Sequence, residues 1–141
     1  DGKEADETLF TTFYNKLINI EARTMIDMIM HQILPAALSY SSDLAAGINR
    51  KRDALGNEVK ATAETVLTKR ISDRCDSLYE NSEKLYADLK AVPSATESAT
   101  EYYSEVIIPG MVQVRKDADS LEKLTAKSYW PYPLYSDMLY Y

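Results

Sequence analysis

The chain has 141 residues, of which 45% are hydrophobic and 27% charged, and its formal net charge at pH 7 is -6. Phosphate backbones and anionic lipids repel an acidic chain, so the charge argues against nucleic acid and membranes as partners. The length predicts a single domain, residues 1–141, that buries a core without a metal or disulfide staple. No apolar run approaches the roughly 18 residues of a membrane-spanning helix, so none is expected.

A first long amphipathic helix is predicted from about residue 6 to residue 55, because apolar residues recur at steps of mostly three to five. Pro35 lies inside this helix and lacks a backbone N–H donor, which predicts a kink. Gly56 is a plausible C-terminal cap. The apolar positions, expected to supply layers of the core, are Leu9, Phe13, Leu17, Ile20, Met25, Met28, Ile33, Ala37, Tyr40, Leu44 and Ile48.

A second helix is predicted from about residue 57 to residue 91. Asn57 is a suitable N-terminal cap, because its side chain can accept a hydrogen bond from a free backbone N–H. The apolar positions follow steps of three, four or seven residues, which approximates the heptad seam of packed helices. These positions are Leu67, Ile71, Cys75, Leu78, Leu85 and Leu89.

A third helix is predicted to follow Pro93 and to end near residue 126. Ser94 and Glu97 have the spacing of a capping box, in which each side chain accepts a hydrogen bond from a free backbone N–H. Pro109, followed by Gly110, predicts a second kink. The seam of this helix consists of Ala99, Tyr103, Val106, Val114, Ala118, Leu121 and Leu124.

Three long helices joined by short turns pack as antiparallel neighbours, so the sequence predicts an all-α antiparallel bundle. The alternation of apolar and polar residues that is typical of strands is absent. Cys75, the single cysteine, is expected to be a small core residue in a reducing, cytoplasmic location. The sequence does not begin with methionine, which favours a processed product or a fragment of a larger protein.

The sequence offers little for catalysis or metal binding. His31, the single histidine, lies one helical turn after Asp27, but a catalytic zinc site usually needs three protein ligands. Glu97, Glu101 and Glu105 share one helix face and are interpreted as a solvated stripe. The four glycines are scattered, so no Gly-rich loop is available to bind phosphate. We therefore predict no catalytic, metal-binding or cofactor-binding residue.

The C-terminal stretch, residues 128–141, holds the single tryptophan and two prolines, so it cannot continue the third helix. It is predicted to cross the bundle as an extended aromatic strap and to end in a short helical turn. Its large side chains either pack on this bundle or dock on another domain or subunit. The candidate packing or interface residues are Trp130, Tyr132, Tyr135, Met138, Leu139 and Tyr140.

Two stretches carry a further signal: NIEARTMIDMIMHQILPAAL covers residues 19–38, and YWPYPLYSDMLYY covers residues 129–141. Taken together, they resemble the C-terminal region of type III glutamine synthetases. Residues 50–120 match only in helical character and length, and the final Tyr-Tyr stands where a phenylalanine is expected. The matching positions are Glu21-Ala22, Met25, Asp27-Met28 and Ile33-Leu34-Pro35-Ala36, then Trp130-Pro131, Pro133, Tyr135 and Met138-Leu139-Tyr140.

The resemblance implies a parent enzyme that makes glutamine from glutamate, ammonia and ATP with Mg or Mn. The catalytic residues, nucleotide site and metal ligands of that family lie upstream, and none matches a position in this chain. The resemblance therefore implies a non-catalytic C-terminal structural or assembly domain. Its expected partners are the catalytic domain of the same polypeptide and neighbouring subunits of a homo-oligomer.

Two other functions stay open on the residues alone. A stand-alone helical interaction module, such as an adaptor or sensor bundle, would share the long seams and the lack of catalytic chemistry. A bundle that binds a metal or small molecule around Asp27 and His31 is the other alternative.

Overall fold

The computed structural model describes residues 2–132. This part of the chain forms three long helical segments and contains no strand, so the all-α prediction is confirmed for the described residues. In chain order, the elements are α1 (Gly2–Met28), a π-helical segment (Ile29–Ile33), α2 (Leu34–Leu55), α3 (Thr62–Lys90), α4 (Thr96–Tyr102), a second π-helical segment (Tyr103–Ile107) and α5 (Ile108–Leu124). The first helical segment joins α1 to α2, the second is α3, and the third joins α4 to α5.

Consecutive helical segments run in opposite directions, because their adjacent ends meet. Near the end of α2, Lys51 forms an ion pair with Glu64 in the first turn of α3, with 2.6 Å between Nζ and Oε2. Near the end of α3, the backbone carbonyl of Asp88 accepts a 2.7 Å hydrogen bond from the hydroxyl of Tyr102 in α4. Short connections therefore join antiparallel neighbours, as expected from the sequence.

The first and third helical segments lie side by side in the same direction. Asn15 Nδ2 donates to Thr100 Oγ1 at 3.0 Å, and one turn later Asn19 Nδ2 donates to the Tyr103 hydroxyl at 2.8 Å. The two pairs advance together along both helices, which defines a parallel pair. The second segment contacts both of the others and completes an up-down-up bundle.

Both internal prolines directly follow a π-helical segment. Pro35 is in the first turn of α2 after Ile29–Ile33, and Pro109 is in the first turn of α5 after Tyr103–Ile107. Proline cannot donate to the carbonyl one turn earlier and its ring crowds that carbonyl, so a wider turn upstream relieves the clash. The kinks themselves stay predictions.

The helix ends only partly follow the sequence expectation. Gly56 caps α2 with φ 97°, and its N–H donates to Arg52 O at 2.8 Å, which confirms the predicted C-cap. The predicted cap at Asn57 is wrong, because α3 begins at Thr62 after Ala61 in a left-handed conformation. The expected capping box is also wrong, since residue 95 occupies the N-cap position of α4 without a side-chain hydrogen bond.

The core lies along the facing sides of the three helical segments. The predicted seam of α3 is mostly buried, and so are Tyr103, Ile107, Val114 and Leu121 of the third segment. Residues that are at most 3% exposed include Ala22, Ile29, Ala37, Ile71, Cys75, Leu78, Leu85, Leu89, Ile107, Val114 and Leu121.

Candidate functional site

The described part of the C-terminal stretch packs against the first helical segment. Trp130 is 8% exposed and belongs to the core cluster, while Tyr132 is partly buried against it. The Tyr129 ring lies 5.0 Å from the Tyr40 ring between centroids, and its hydroxyl donates to the Asp43 carboxylate. That hydrogen bond raises the pKa of Tyr129.

The direction of this stretch follows from a second hydrogen bond, which Tyr132 donates to the side-chain carbonyl of Gln32. Because Tyr129 contacts Asp43 and Tyr132 contacts Gln32, the chain runs back along the first segment, antiparallel to it. The remaining candidate residues and the predicted terminal turn lie outside the described residues, so the strap as a whole stays a prediction. Those residues are Tyr135, Met138, Leu139 and Tyr140.

The first half of α1 carries an apolar surface that faces away from the bundle, which we call the outer face. Its residues are exposed by 42% to 70%. Most of them were predicted from their spacing to supply the core, and that prediction is wrong. The outer face consists of Leu9, Phe10, Phe13, Leu17 and Ile20.

A different side of α1 packs into the core of the bundle. Asn15, Ile18 and Ala22 are its buried residues. At 3.6 residues per turn, these three point roughly opposite to the outer face. The helix therefore has two apolar sides, and the periodic pattern in the sequence followed the wrong one. Ala22 is small and Asn15 is polar, so neither residue marks the buried side by its hydrophobicity. The buried side was therefore missed.

An open groove adjoins the outer face, between α1 and α5. It has a volume of about 520 Å³, and Ile20 lies at its edge as well as in the outer face. Met25, Met28 and Met111 are among the residues that line it. Methionine side chains adapt to irregular partners, so the groove extends the apolar surface with a deformable lining.

The sequence-predicted polar candidates do not converge on a catalytic arrangement. His31 Nε2 lies 3.4 Å from Asp27 Oδ1, and the two side chains are 74% and 75% exposed. Within residues 2–132, no group of three or more His, Cys, Asp or Glu residues is placed to hold a metal ion. This arrangement forms a solvated surface pair on the first segment.

The acidic stripe on the third segment has neighbours that the sequence did not reveal. Glu97, Glu101 and Glu105 line an open cleft together with Glu4 and Glu7 of α1. All five residues are exposed. Water therefore screens the carboxylates, which agrees with the interpretation of Glu97, Glu101 and Glu105 as a solvated stripe.

The most buried carboxylate of the described chain is Asp117, which is 3% exposed. Asn81 Nδ2 donates to its Oδ2 at 2.7 Å, and Ser77 Oγ donates to its Oδ1 at 3.1 Å. These bonds connect α3 to α5 inside the bundle. The carboxylate is enclosed by donors of its own fold, so its role is to join two helices.

Replacing Asp117 by alanine is expected to destabilise the bundle by about 1–3 kcal/mol, because the half-buried Asn81 and Ser77 side chains lose their acceptor. Urea unfolding followed by circular dichroism measures the change. The control is Asp119→Ala on the exposed side of the same helix, which should change stability by less than about 0.5 kcal/mol. Equal effects for both variants would contradict the structural role of Asp117.

Cys75 is 3% exposed and lies in the core, as expected. Burial, together with the neighbouring Asp76 carboxylate, raises the pKa of its thiol from 9.0 to about 11. The thiolate is the reactive form of cysteine, so a buried thiol with a raised pKa is inert. This residue is therefore part of the packing and not a nucleophile.

Alkylation of Cys75 by iodoacetamide at pH 8 is expected to be at least about 100-fold slower in the folded chain than in urea. Since the folded pKa is raised, the thiol contributes stability below pH 9, and that contribution is lost as the pH rises towards 11. Mass spectrometry follows the reaction at this single cysteine. Rapid labelling of the folded chain at pH 8 would contradict the burial.

Comparisons with known proteins bear directly on the resemblance. Residues 4–52 match the family model described as the glutamine synthetase C-terminal domain. The chain is 27% identical to a type-3 glutamine synthetase from Dictyostelium discoideum over 97% of its own length and 19% of that protein. It is 31% identical to a glutamine synthetase from Butyrivibrio fibrisolvens, over 90% of the chain and 18% of that protein.

The resemblance to the C-terminal domain of glutamine synthetases is therefore confirmed. A glutamine synthetase from Bacteroides fragilis is 26% identical over 90% of the chain and 18% of its own length. The chain thus spans about a fifth of the length of these relatives. The homology suggests a fragment of a glutamine synthetase-like protein. No solved structure gave a significant match.

The family match also covers the outer face, since residues 4–52 include the first half of α1.

None of the helices in the described range is long and apolar enough to cross a membrane.

Proposed function

We propose that this chain is a non-catalytic C-terminal structural or assembly domain of a larger enzyme of the glutamine synthetase type. The observation that carries the proposal is the pattern of coverage. The relatives align with 90% to 97% of the chain but use only 18% to 19% of their own length to do so. Most of such a protein lies outside this domain, and the proposed parent joins ammonia to glutamate with ATP.

The contacts of the ionisable groups support a non-catalytic role. Asp117 is held by side chains of its own bundle, and Cys75 is buried with a raised pKa. The Asp27–His31 pair is solvated on both sides. Acid–base or nucleophilic work needs a group that is poised in a cleft near a reacting atom, and these groups are not arranged in that way.

The proposed partners are the catalytic domain of the same polypeptide and neighbouring subunits of a homo-oligomer. Two surfaces support this part of the proposal. One is the outer face, an exposed apolar surface of the kind that marks protein interfaces. The other is the aromatic C-terminal stretch, for which docking on another domain or subunit is one of the two alternatives predicted from the sequence.

The parent's cofactors are proposed to be ATP and Mg or Mn, bound outside this chain, and its location is proposed to be the cytoplasm. The free thiol of Cys75 suits a reducing compartment. The bundle itself would then contribute binding surface and rigidity to the enzyme.

The proposal is tested by removing residues 1–141 from the parent polypeptide and comparing the truncated and intact enzymes. We expect sedimentation to show loss of the native oligomer and glutamine synthesis to fall with it. As a control, Asp27→Asn combined with His31→Gln in the intact enzyme should leave turnover unchanged. An intact oligomer with full activity after truncation would contradict an assembly role, and lost turnover in the double variant would contradict a non-catalytic one.

A stand-alone interaction module is the second candidate, and the exposure of the outer face favours it as well. The two candidates differ in the size of the native polypeptide. A free protein of about this chain's 16.0 kDa would support the module.

A further inference from the structure

The outer face of α1 has the spacing of a coiled-coil seam. Phe10, Phe13, Leu17 and Ile20 follow one another at steps of three, four and three residues. These are successive a and d positions of two heptads, the positions that insert into a facing helix. Here no described element covers them, since the four side chains are 70%, 61%, 42% and 60% exposed in that order.

The bundle occupies the opposite side of the helix. In the same heptad numbering, buried Asn15 and Ala22 fall at f positions and buried Ile18 falls at a b position. The b and f positions are the ones that point away from a coiled-coil partner. A helix docked on the outer face would therefore lie on the far side of α1 from α3 and α5, without a clash against this bundle.

The charges that flank the seam discriminate between partner orientations. Lys16 falls at a g position and Glu21 at the e position of the next heptad, and both are exposed. In a parallel pair of identical helices, these two positions face each other across the seam, which brings Lys16 of each copy to Glu21 of the other. In an antiparallel pair, g faces g and e faces e, which brings like charges together.

The remaining flanking residues agree with a parallel pair. Leu9 falls at the preceding g position and Tyr14 at the e position that it would face, and the two are 69% and 48% exposed. The apolar seam thus widens at its N-terminal end and carries its charges towards its C-terminal end. Neither Lys16 nor Glu21 forms an ion pair with another residue of the described range.

The size of the surface sets the strength that such a pair can reach. With ordinary side-chain areas, the outer face and Tyr14 expose roughly 600 Å², at the upper end of apolar patches on monomers. Two copies would bury about 1,200 Å² together, which is at the lower limit for a specific interface. Interfaces near this lower limit are typical of weak, reversible association.

We propose that the outer face binds a second copy of this chain, with the two α1 helices parallel and related by a two-fold axis. Phe10, Phe13, Leu17 and Ile20 form the seam, and the Lys16–Glu21 pairs fix the orientation. This inference rests on the proposed function in one respect: it identifies the surface through which two subunits of the proposed homo-oligomer would make contact. Association of the 141-residue chain is measured without the parent, so its failure is distinguishable from failure of the ligase proposal.

Sedimentation equilibrium of the full chain from about 1 to 200 μM tests the proposal. We expect a monomer–dimer equilibrium within this range. Lys16→Glu or Glu21→Lys should each weaken the dimer about tenfold or more, because each places like charges across both symmetric contacts. The combined Lys16→Glu, Glu21→Lys variant should restore the wild-type dissociation constant to within about threefold, since it re-creates opposite charges.

Leu17→Asp supplies a stronger test, because a carboxylate at a central seam position should abolish the dimer at all concentrations. Circular dichroism and the unfolding midpoint confirm that each variant is folded. A chain that stays monomeric up to 200 μM would overturn the proposal and leave the outer face to a different partner, such as the parent's catalytic domain. Dimers that are unaffected by the charge reversals, or not restored by the double variant, would overturn the parallel seam.

Discussion

Replacing Trp130 by alanine is expected to lower the free energy of unfolding of the chain by about 3–5 kcal/mol. The side chain is 8% exposed and belongs to the core cluster, although it lies beyond the end of α5. Its removal would leave a cavity between the C-terminal stretch and the bundle. The neighbouring contacts of Tyr129 and Tyr132 lie on the surface and would not compensate for the lost apolar burial.

Urea unfolding at low micromolar concentration measures this effect, with Tyr79→Ala as the control. Tyr79 is another large aromatic residue, but it is 51% exposed on α3, so its truncation should cost less than about 1 kcal/mol. An unchanged unfolding midpoint for Trp130→Ala would show that the C-terminal stretch does not stabilise this bundle. The aromatic residues would then be available for docking on another domain or subunit.

Truncation of Ile18 to alanine is expected to cost about 2–5 kcal/mol, whereas truncation of its neighbour Leu17 should cost less than about 1 kcal/mol. Ile18 is 6% exposed and packs into the core, while Leu17 is 42% exposed on the outer face. The two residues have similar volume and lie in the same helix, so intrinsic helix propensity contributes little to the difference.

Thermal and urea unfolding of the two variants, both below the concentration at which the chain associates, measure this contrast. The result determines which side of α1 faces the bundle. A larger loss for Leu17→Ala than for Ile18→Ala would contradict the orientation of the helix and with it the exposed seam.

The number and approximate extent of the helices could be predicted from the sequence because they depend on long periodic patterns. The seam of α3 was predicted correctly for Ile71, Cys75, Leu78, Leu85 and Leu89, all of which are buried. This helix packs against both other segments and has one dominant apolar side. Periodicity and burial therefore agree there.

The orientation of α1 could not be predicted in the same way, because its stronger apolar pattern faces solvent. The pattern around Phe13 and Leu17 has the better heptad spacing, but the bundle buries Ile18 and Ala22 instead. An apolar seam that is exposed on a helix carries the same sequence signal as a seam that is buried in the core. Only the packing of the other helices distinguishes the two.

The local ends of the helices depended on geometry that composition does not specify. Ala61 adopts φ 43° before α3, although residues with a side chain rarely enter this region. The start of α3 was therefore misplaced at Asn57. The π-helical turns before Pro35 and Pro109 were also missed, since a kink and a widened turn have the same sequence signal.

The aromatic C-terminal stretch stood out in the sequence, and the structure places its Trp130 in the core cluster. The strap and its role in packing or docking stay predictions. The outer face was visible in the sequence only as a supposed core element. Its interpretation as an interface needed the exposures in the folded chain.

The native polypeptide shows whether this bundle belongs to a larger glutamine-forming enzyme, as proposed. An antibody raised against the chain captures the endogenous protein, whose intact mass and ATP-dependent glutamine synthesis are then recorded. We predict a polypeptide about five times the length of this chain, given its 18% to 19% share of the relatives, with glutamine synthesis in the captured fraction. A free protein near 16.0 kDa without that activity would contradict it.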